Sequence, residues 1–250
     1  YAFGSYAKAT GLRSFAMGSV GADSTGNPTG PTVASGESAF AIGLGSEAVG
    51  FGSFAVGLSN RSTGLFSMAL GYQTISEGWY STSMGWLTKA GGFSSTTMGA
   101  GSSTDIFSIG ATAAGVFTKA ANYASTAFGD HANASGHTSF ATGFSTVASG
   151  HLSATFGAST TASGSGSIAM GLGTTAQSYA SLVLGRYNKI YGTPDAWYSW
   201  EPVFVIGNGT SEAEADRSNA MTVYKSGVAD FGGYLNINRN STHGALFVNS

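Results

Sequence analysis

Between residues 41 and 99 the apolar and polar positions repeat every fourteen residues. Glycine closes each period, at Gly43, Gly57, Gly71, Gly85 and Gly99, and a second set stands midway at Gly50, Gly64, Gly78 and Gly92. In the second half of each period small and large residues alternate: Ser53/Ala55 and Ser67/Ala69 on one side, Phe54/Val56 and Met68/Leu70 on the other. A period of two is that of a strand, whose successive side chains point to opposite faces. The first half keeps a small side, as in Ser46/Ala48, Thr74/Ser76 and Thr88/Ala90, but its other side is polar, with Glu47, Arg61, Glu77 and Lys89. Each unit thus reads as one coil of two short strands. Seven residues suit a strand of four or five plus a tight corner where glycine supplies angles that other residues resist. Such a coil cannot bury its own face and must stack on its neighbours, so the chain reads as a solenoid. Helix is excluded by the glycine density.

Two packings satisfy this pattern. If the small faces meet inside a very thin roll, the large apolar face of the second sheet points outward along the whole rod, far more than a monomer usually exposes. If the large residues turn inward instead, the Ser/Ala face of the second sheet is left for close contact with a partner. The pattern favours the first. In both, the second sheet faces the mate, and self-association is expected.

The clock covers most of residues 1–185. Gly4, Gly11 and Gly18 are in phase, and the period resumes at Gly115, Gly129, Gly143, Gly157, Gly171 and Gly185. Eleven extra residues between Gly18 and Gly43, rich in Gly, Pro, Asn and Asp and including Asp23 and Asn27, predict a surface loop. Two extra residues between Gly99 and Gly115, around Asp105-Ile106-Phe107, predict a widened corner. From Arg186 the period stops, so residues 186–250 are expected to form a separate β-hairpin connector that continues beyond Ser250. Its strands are expected at 203–206, 220–224 and 228–231, with further ones at 234–238 and 245–248. No sustained heptad pattern marks a coiled coil.

Composition narrows the function. With 42% hydrophobic residues the chain is not a disordered linker, and a net charge of −2 leaves no basic footprint for nucleic acid or an anionic membrane. The absence of cysteine excludes a disulfide framework and cysteine-ligated metal. No apolar run reaches the roughly 18 residues of a membrane helix, so no direct membrane insertion is expected. Beginning at Tyr1, the chain reads as a processed or excised piece. His137 and His151 hold the same place in consecutive coils, about 4.8 Å apart in backbone, with His131 nearby. No carboxylate column accompanies them, so a solvated ladder is expected and no metal site. The Gly-rich stretches lack the Lys-Ser/Thr of a phosphate loop, and no nucleophile elbow occurs. Neither enzyme activity nor a cofactor is expected. A Thr column at Thr74, Thr88, Thr118, Thr146, Thr160 and Thr174 lies on the small face without an outward Thr beside it, which argues against ice binding.

The units Ser67-Met68-Ala69-Leu70-Gly71, Ser53-Phe54-Ala55-Val56-Gly57 and Ser167-Ile168-Ala169-Met170-Gly171, alternating with Ala148-Ser149-Gly150 and Ala162-Ser163-Gly164, resemble the head repeats of YadA-like trimeric autotransporter adhesins. The resemblance implies an all-β, left-handed parallel β-roll with three chains packed as a homotrimer. It also implies a non-enzymatic, extracellular head, anchored to an outer membrane through other parts, that binds a protein or glycan receptor on a host or surface. Here bulky Phe, Tyr and Trp are more frequent than the family's usual Val and Ile. The connector units Phe204-Val205-Ile206-Gly207-Asn208-Gly209 and Arg217-Ser218-Asn219-Ala220-Met221-Thr222-Val223 also resemble those of phage-type tail fibres. The alternative function is therefore the distal receptor-binding fibre of a phage or contractile injection particle, and a structural spacer is a further one. Sequence beyond Ser250 would separate anchor from fibre.

One residue per coil follows the midway glycine and stacks along a corner: Phe51, Leu65, Trp79, Phe93, Tyr123, His137, His151 and Tyr179. The other corner carries Leu58, Tyr72 and Trp86. Stacking of such rings supports the roll and contacts between chains. Tyr72, Trp79, Tyr80 and Trp86 also concentrate flat amphipathic rings within two coils, a composition favoured at recognition surfaces. They are the candidate ligand-binding residues, with Asp23 and Asn27 of the inserted loop.

Overall fold

The computed structural model describes residues 1–22 and 25–233. It is a parallel β-solenoid of about 13 coils. Each regular coil after the first contributes a five-residue strand to one sheet, such as Phe54–Leu58, Met68–Tyr72 and Thr82–Trp86, and a two-residue strand to the other, such as Glu47–Ala48, Arg61–Ser62 and Ile75–Ser76. Among the described residues the long sheet has 16 strands and the short sheet 12. Register is fourteen residues throughout the regular part, with Ala55 beside Ala69 and Gly57 beside Gly71.

The small faces meet inside. Apart from Val183 and Val205, the buried hydrophobic residues are alanines, and the remaining interior is mostly Ser and Thr, including the whole Thr column from Thr74 to Thr174. Phe54, Met68, Met98 and Phe128 point outward and are exposed, which settles the choice between the two packings.

A buried hydroxyl costs free energy unless it is hydrogen-bonded, and a few here, including those of Thr146, Thr160 and Thr174, have no partner among the described residues. The repeated Gly-x-x-Ser of the midway corner supplies partners locally: the hydroxyls of Ser67, Ser81, Ser95, Ser139 and Ser153 each donate to the carbonyl of the glycine three residues earlier, at 2.6–2.7 Å. In the Thr column Asn60 bridges coils instead. Its amide nitrogen donates to the carbonyls of Val56 (2.8 Å) and Gly71 (2.6 Å), and its oxygen accepts from the Thr74 backbone N–H (2.9 Å) and hydroxyl (2.8 Å).

The glycines of the period-closing column take the positive φ expected of glycine, as at Gly57 (+127°) and Gly85 (+120°), but they have a second role. The left-handed position of each corner is mostly filled by other residues: Phe66 (φ 52°), Gln73 (52°), Tyr80 (57°) and Leu87 (53°). The periodic glycines stand elsewhere, where coil meets coil. A methyl group on Gly71, or on Gly78, would collide with the carbonyl oxygen of the glycine one coil on, Gly85 or Gly92. Gly71 combines this crowding with φ +129°, whereas Gly78 has no positive φ and is constrained by crowding alone.

The insertions leave the stack and return to it in phase. Residues after Gly18 form a small antiparallel hairpin, Gly21–Ala22 with Pro28–Gly30, before Gly43 takes its place beside Gly18. The excursion after Thr104 exposes Ile106 and Phe107 and returns with Gly115 beside Gly99. The long sheet also runs on past Arg186: Pro202–Asn208 stacks parallel on Leu182–Arg186, with Gly207 beside Gly185, and is followed by the antiparallel strands Asn219–Tyr224 and Ala229–Phe231. The strands expected at 203–206, 220–224 and 228–231 are thus present within a residue or two. Those expected at 234–238 and 245–248 lie outside the described residues.

If coil spacing is the constraint, Gly78→Ala will destabilise the roll by about 3 kcal/mol, the upper part of the usual overpacking range, despite its ordinary backbone angles. Gly26, at φ +86° in the hairpin with nothing near its Cα, will cost only the roughly 1 kcal/mol of the angle when changed to Ala. Thermal unfolding of the two variants followed by circular dichroism measures the difference.

Candidate functional site

Flat coils stacked in register turn each corner residue into one rung of an edge. Along the edge after the midway glycines, rings pass from coil to coil: Phe51 to Phe66 (5.3 Å between centroids, edge-on), Phe66 to Tyr80 (5.7 Å, stacked) and Tyr80 to Phe93 (5.6 Å, edge-on). Trp79 stands beside them with 58% of its surface exposed. Further along, Tyr123, His137 and His151 stack at 4.9 and 5.1 Å. Among the described residues no group of three or more His, Cys, Asp or Glu could hold a metal ion.

Tyr72 and Trp86 pair in register at the C-terminal ends of their strands, on the opposite edge. The structure therefore brings together Tyr72 with Trp86, and Trp79 with Tyr80. It separates the two pairs by the width of the long sheet, since strand Thr82–Trp86 runs between Tyr80 and Trp86; at about 3.3 Å per residue that is roughly 20 Å. Asn27 is at the tip of the inserted hairpin, its amide donating to the Thr25 hydroxyl at 2.8 Å. Asp23 lies outside the described residues.

The outward face of the long sheet is apolar over its first coils. Two columns run along it in register: Phe15, Phe40, Phe54 and Met68, and beside them Met17, Ile42, Val56 and Leu70. Phe15, Phe40 and Phe54 stack at 5.5 and 5.0 Å. The face of the short sheet is polar, and its charges neutralise one another between coils: Glu47 with Arg61 (3.5 Å), Glu77 with Lys89 (3.0 Å) and Asp105 with Lys119 (3.0 Å).

With the coil, its two glycine columns and its two faces described, the comparison with known families is specific. The family description "YadA head domain repeat (2 copies)" matches residues 1–19, 34–60, 48–74, 62–88 and 120–146. The roll carries YadA head repeats over these residues. No curated protein matches the chain significantly. Among the described residues no helix is long and apolar enough to cross a membrane.

The C-terminal end of the roll holds residues that the periodic pattern did not single out. Asn188 sits fourteen residues after Thr174, in the same inward column. Its side-chain amide takes the place of a further strand: its oxygen accepts from the Thr175 N–H (2.8 Å), and its nitrogen donates to the Thr175 carbonyl (2.9 Å). Arg217 reaches back to the carbonyls of Gly173 (3.2 Å) and Asn188 (3.1 Å). Lys225 and Glu201 form an ion pair at 3.2 Å with side chains only 0% and 6% exposed. The Ser178 hydroxyl donates to the same carboxylate oxygen at 3.1 Å. Last coil, loop and hairpin thus meet at one carboxylate. Burial by itself would raise the Glu201 carboxyl, but hydrogen bonds from the Thr193 hydroxyl, Lys225, Ser178 and the Thr193 backbone outweigh it and hold the group below its ordinary value. Nearby, Asp230 as hydrogen-bond partner, then burial and the adjacent Tyr191, raise Tyr224 and keep its phenol protonated.

Glu201→Ala will leave the Lys225 ammonium buried and unpaired, at a cost of about 3 kcal/mol, the low end for such a loss because the end of a thin roll has water close by. A carboxyl with a depressed folded-state pKa contributes stability that is complete above its unfolded value of about 4.3 and is lost as pH falls through the folded value. The melting temperature of the parent should therefore fall more steeply below about pH 4 than that of Glu201→Ala, read by calorimetry at a series of pH values.

Proposed function

We propose that the chain is the rigid head of a trimeric, surface-anchored adhesin, with the outward face of the long sheet as the seam between three copies. The observation that carries this reading is the apolar double column of that face. A roll filled with Ala, Ser and Thr gains little from its own interior, and the large side chains that could supply apolar burial are outside. One polar sheet and one apolar sheet suit a ring of three chains with the short sheets in water. Heads of this family are trimeric and bind host ligands in general, which supports the assignment.

Native mass spectrometry or light scattering of the chain is expected to give three copies; a monodisperse monomer at micromolar concentration overturns the assembly. Val56→Asp with Leu70→Asp places two carboxylates in the seam, at several kcal/mol each if they are buried unpaired. Because both side chains point away from the roll interior, the variant should lose assembly while keeping its β circular dichroism signature.

Within this reading the exposed rings of the edges contact the receptor. Trp79→Ala with Trp86→Ala should reduce adhesion to immobilised host glycoproteins more than tenfold with little change in melting temperature. A lower melting temperature with full adhesion would leave these rings a packing role only.

A further inference from the structure

Between the long-sheet strands Leu182–Arg186 and Pro202–Asn208 the chain leaves the stack, and the end of that excursion reads Trp197-Tyr198-Ser199-Trp200. We propose that this loop is a binding platform for a neutral β-linked saccharide, separate from the candidate pairs Tyr72 with Trp86 and Trp79 with Tyr80. Tyr198 and Trp200 lie face to face, 4.8 Å between centroids and 21° from parallel. Trp200 remains 69% exposed, among the highest values for a large apolar side chain in the fold, and Trp197 and Tyr198 are exposed beside it.

The loop is fastened along its length. Carbonyls of Gly192, Thr193 and Pro194 accept from the Gln177 side chain (3.0 Å) and the N–H groups of Tyr179 (2.9 Å) and Ser165 (2.8 Å). The Asp195 carboxylate accepts from the Ser165 hydroxyl at 2.8 Å. On the other side the Ser199 carbonyl accepts from Ser226 N–H (2.8 Å), and Glu201 is held by Lys225. A ligand therefore meets rings that are already positioned, and the ordering cost that normally opposes binding is small.

The ring geometry selects the ligand. Recognition of a quaternary ammonium uses several rings around one point. Here Tyr198 and Trp200 are nearly parallel, and the Trp197 ring already has the Lys225 ammonium 4.9 Å from its centroid. What remains is one open plane. A hexose with equatorial substituents presents a flat face of C–H groups to such a plane, gaining dispersion contact, and keeps its hydroxyls at the rim. Charge agrees: Glu201 and Lys225 neutralise each other, and Asp195 is engaged by Ser165, so nothing at the platform calls for an acidic sugar.

The test is titration of the whole chain with cellotetraose and with fully N-acetylated chitotetraose, followed by tryptophan fluorescence and calorimetry, with choline chloride as a third probe. Saturable binding of at least one tetraose is expected, at least tenfold weaker in Trp200→Ala and unchanged when Trp79 and Trp86 are both replaced by Ala. Trp200→Phe, which keeps a smaller flat ring, should fall between parent and Trp200→Ala, and serves if the alanine variant fails to fold. The platform is overturned if neither tetraose binds, if binding survives Trp200→Ala in folded protein, if Trp200→Phe binds as well as the parent, or if choline binds in their place. Loss of tetraose binding through Trp79 and Trp86 instead would overturn the platform and leave the edge reading standing, so the two fail separately.

Discussion

The structure depends on how closely one coil can sit on the next. Two columns made mostly of glycine bring backbone against backbone, where a methyl group on Gly71 or Gly78 would meet the carbonyl of the next coil; Ser108, Asn122 and Ser178 take the midway place in three coils. That spacing lets the parallel long strands of the regular coils pair fourteen residues apart, coil after coil. It is matched by a roll so thin that its interior admits little beyond Ala, Ser and Thr. The remaining features follow from this economy of space. Polar side chains inside find what partners they have within their own corner or one coil away, as the Ser67 hydroxyl and the Asn60 amide do. Large apolar residues have no place but the outside, and they gather on the one sheet that carries no charge ladder.

A parallel stack has open ends, each a row of unpaired backbone groups inviting uncontrolled pairing. The C-terminal end is closed by a sequence of substitutes for the missing coil. Asn188 offers an amide in place of a strand, Pro202–Asn208 adds one last parallel strand, and the hairpin after it changes direction, so the sheet no longer presents a template of the same kind. Glu201 and Lys225 fix that hairpin to the final coil. This is the part of the chain where a buried charge occurs, and it is where the repeat can no longer supply its own partners.

Much of the fold was legible because a fourteen-residue period states both the strand register and the face of every residue. The polar outer row Glu47, Arg61, Glu77 and Lys89 identified the short sheet, and the Ser/Ala row identified the interior. The glycines were read correctly as markers, and the column of Gly57, Gly71 and Gly85 does take angles that other residues resist (φ +127°, +129° and +120°), but the left-handed corner angles fall on Phe66, Tyr80 and Leu87, residues that nothing in a propensity scale would place there. Past Arg186 the pattern still ran, with Asn188 in the Thr column and Gly207 in the glycine column, but one residue per column is too little signal to see. Glu201 and Lys225 belong to no period. They meet through the return of the chain after an excursion, which is a property of three dimensions. The candidate rings Tyr72, Trp79, Tyr80 and Trp86 were close in sequence and are split by the roll, because neighbouring corners of one coil lie on opposite edges.

The three excursions share one property. Those after Gly18, Gly99 and Gly185 differ in length, yet each returns with its next glycine, Gly43, Gly115 or Gly207, directly beside the one it left. Height along the rod is therefore counted in coils, and chain spent in a loop does not alter it. A lineage of such proteins is free to change what it displays by lengthening, shortening or exchanging loops at a corner while every other coil keeps its place. The roll works as a ruler on which variable cargo is mounted, so the position of a displayed segment and its chemistry are inherited separately.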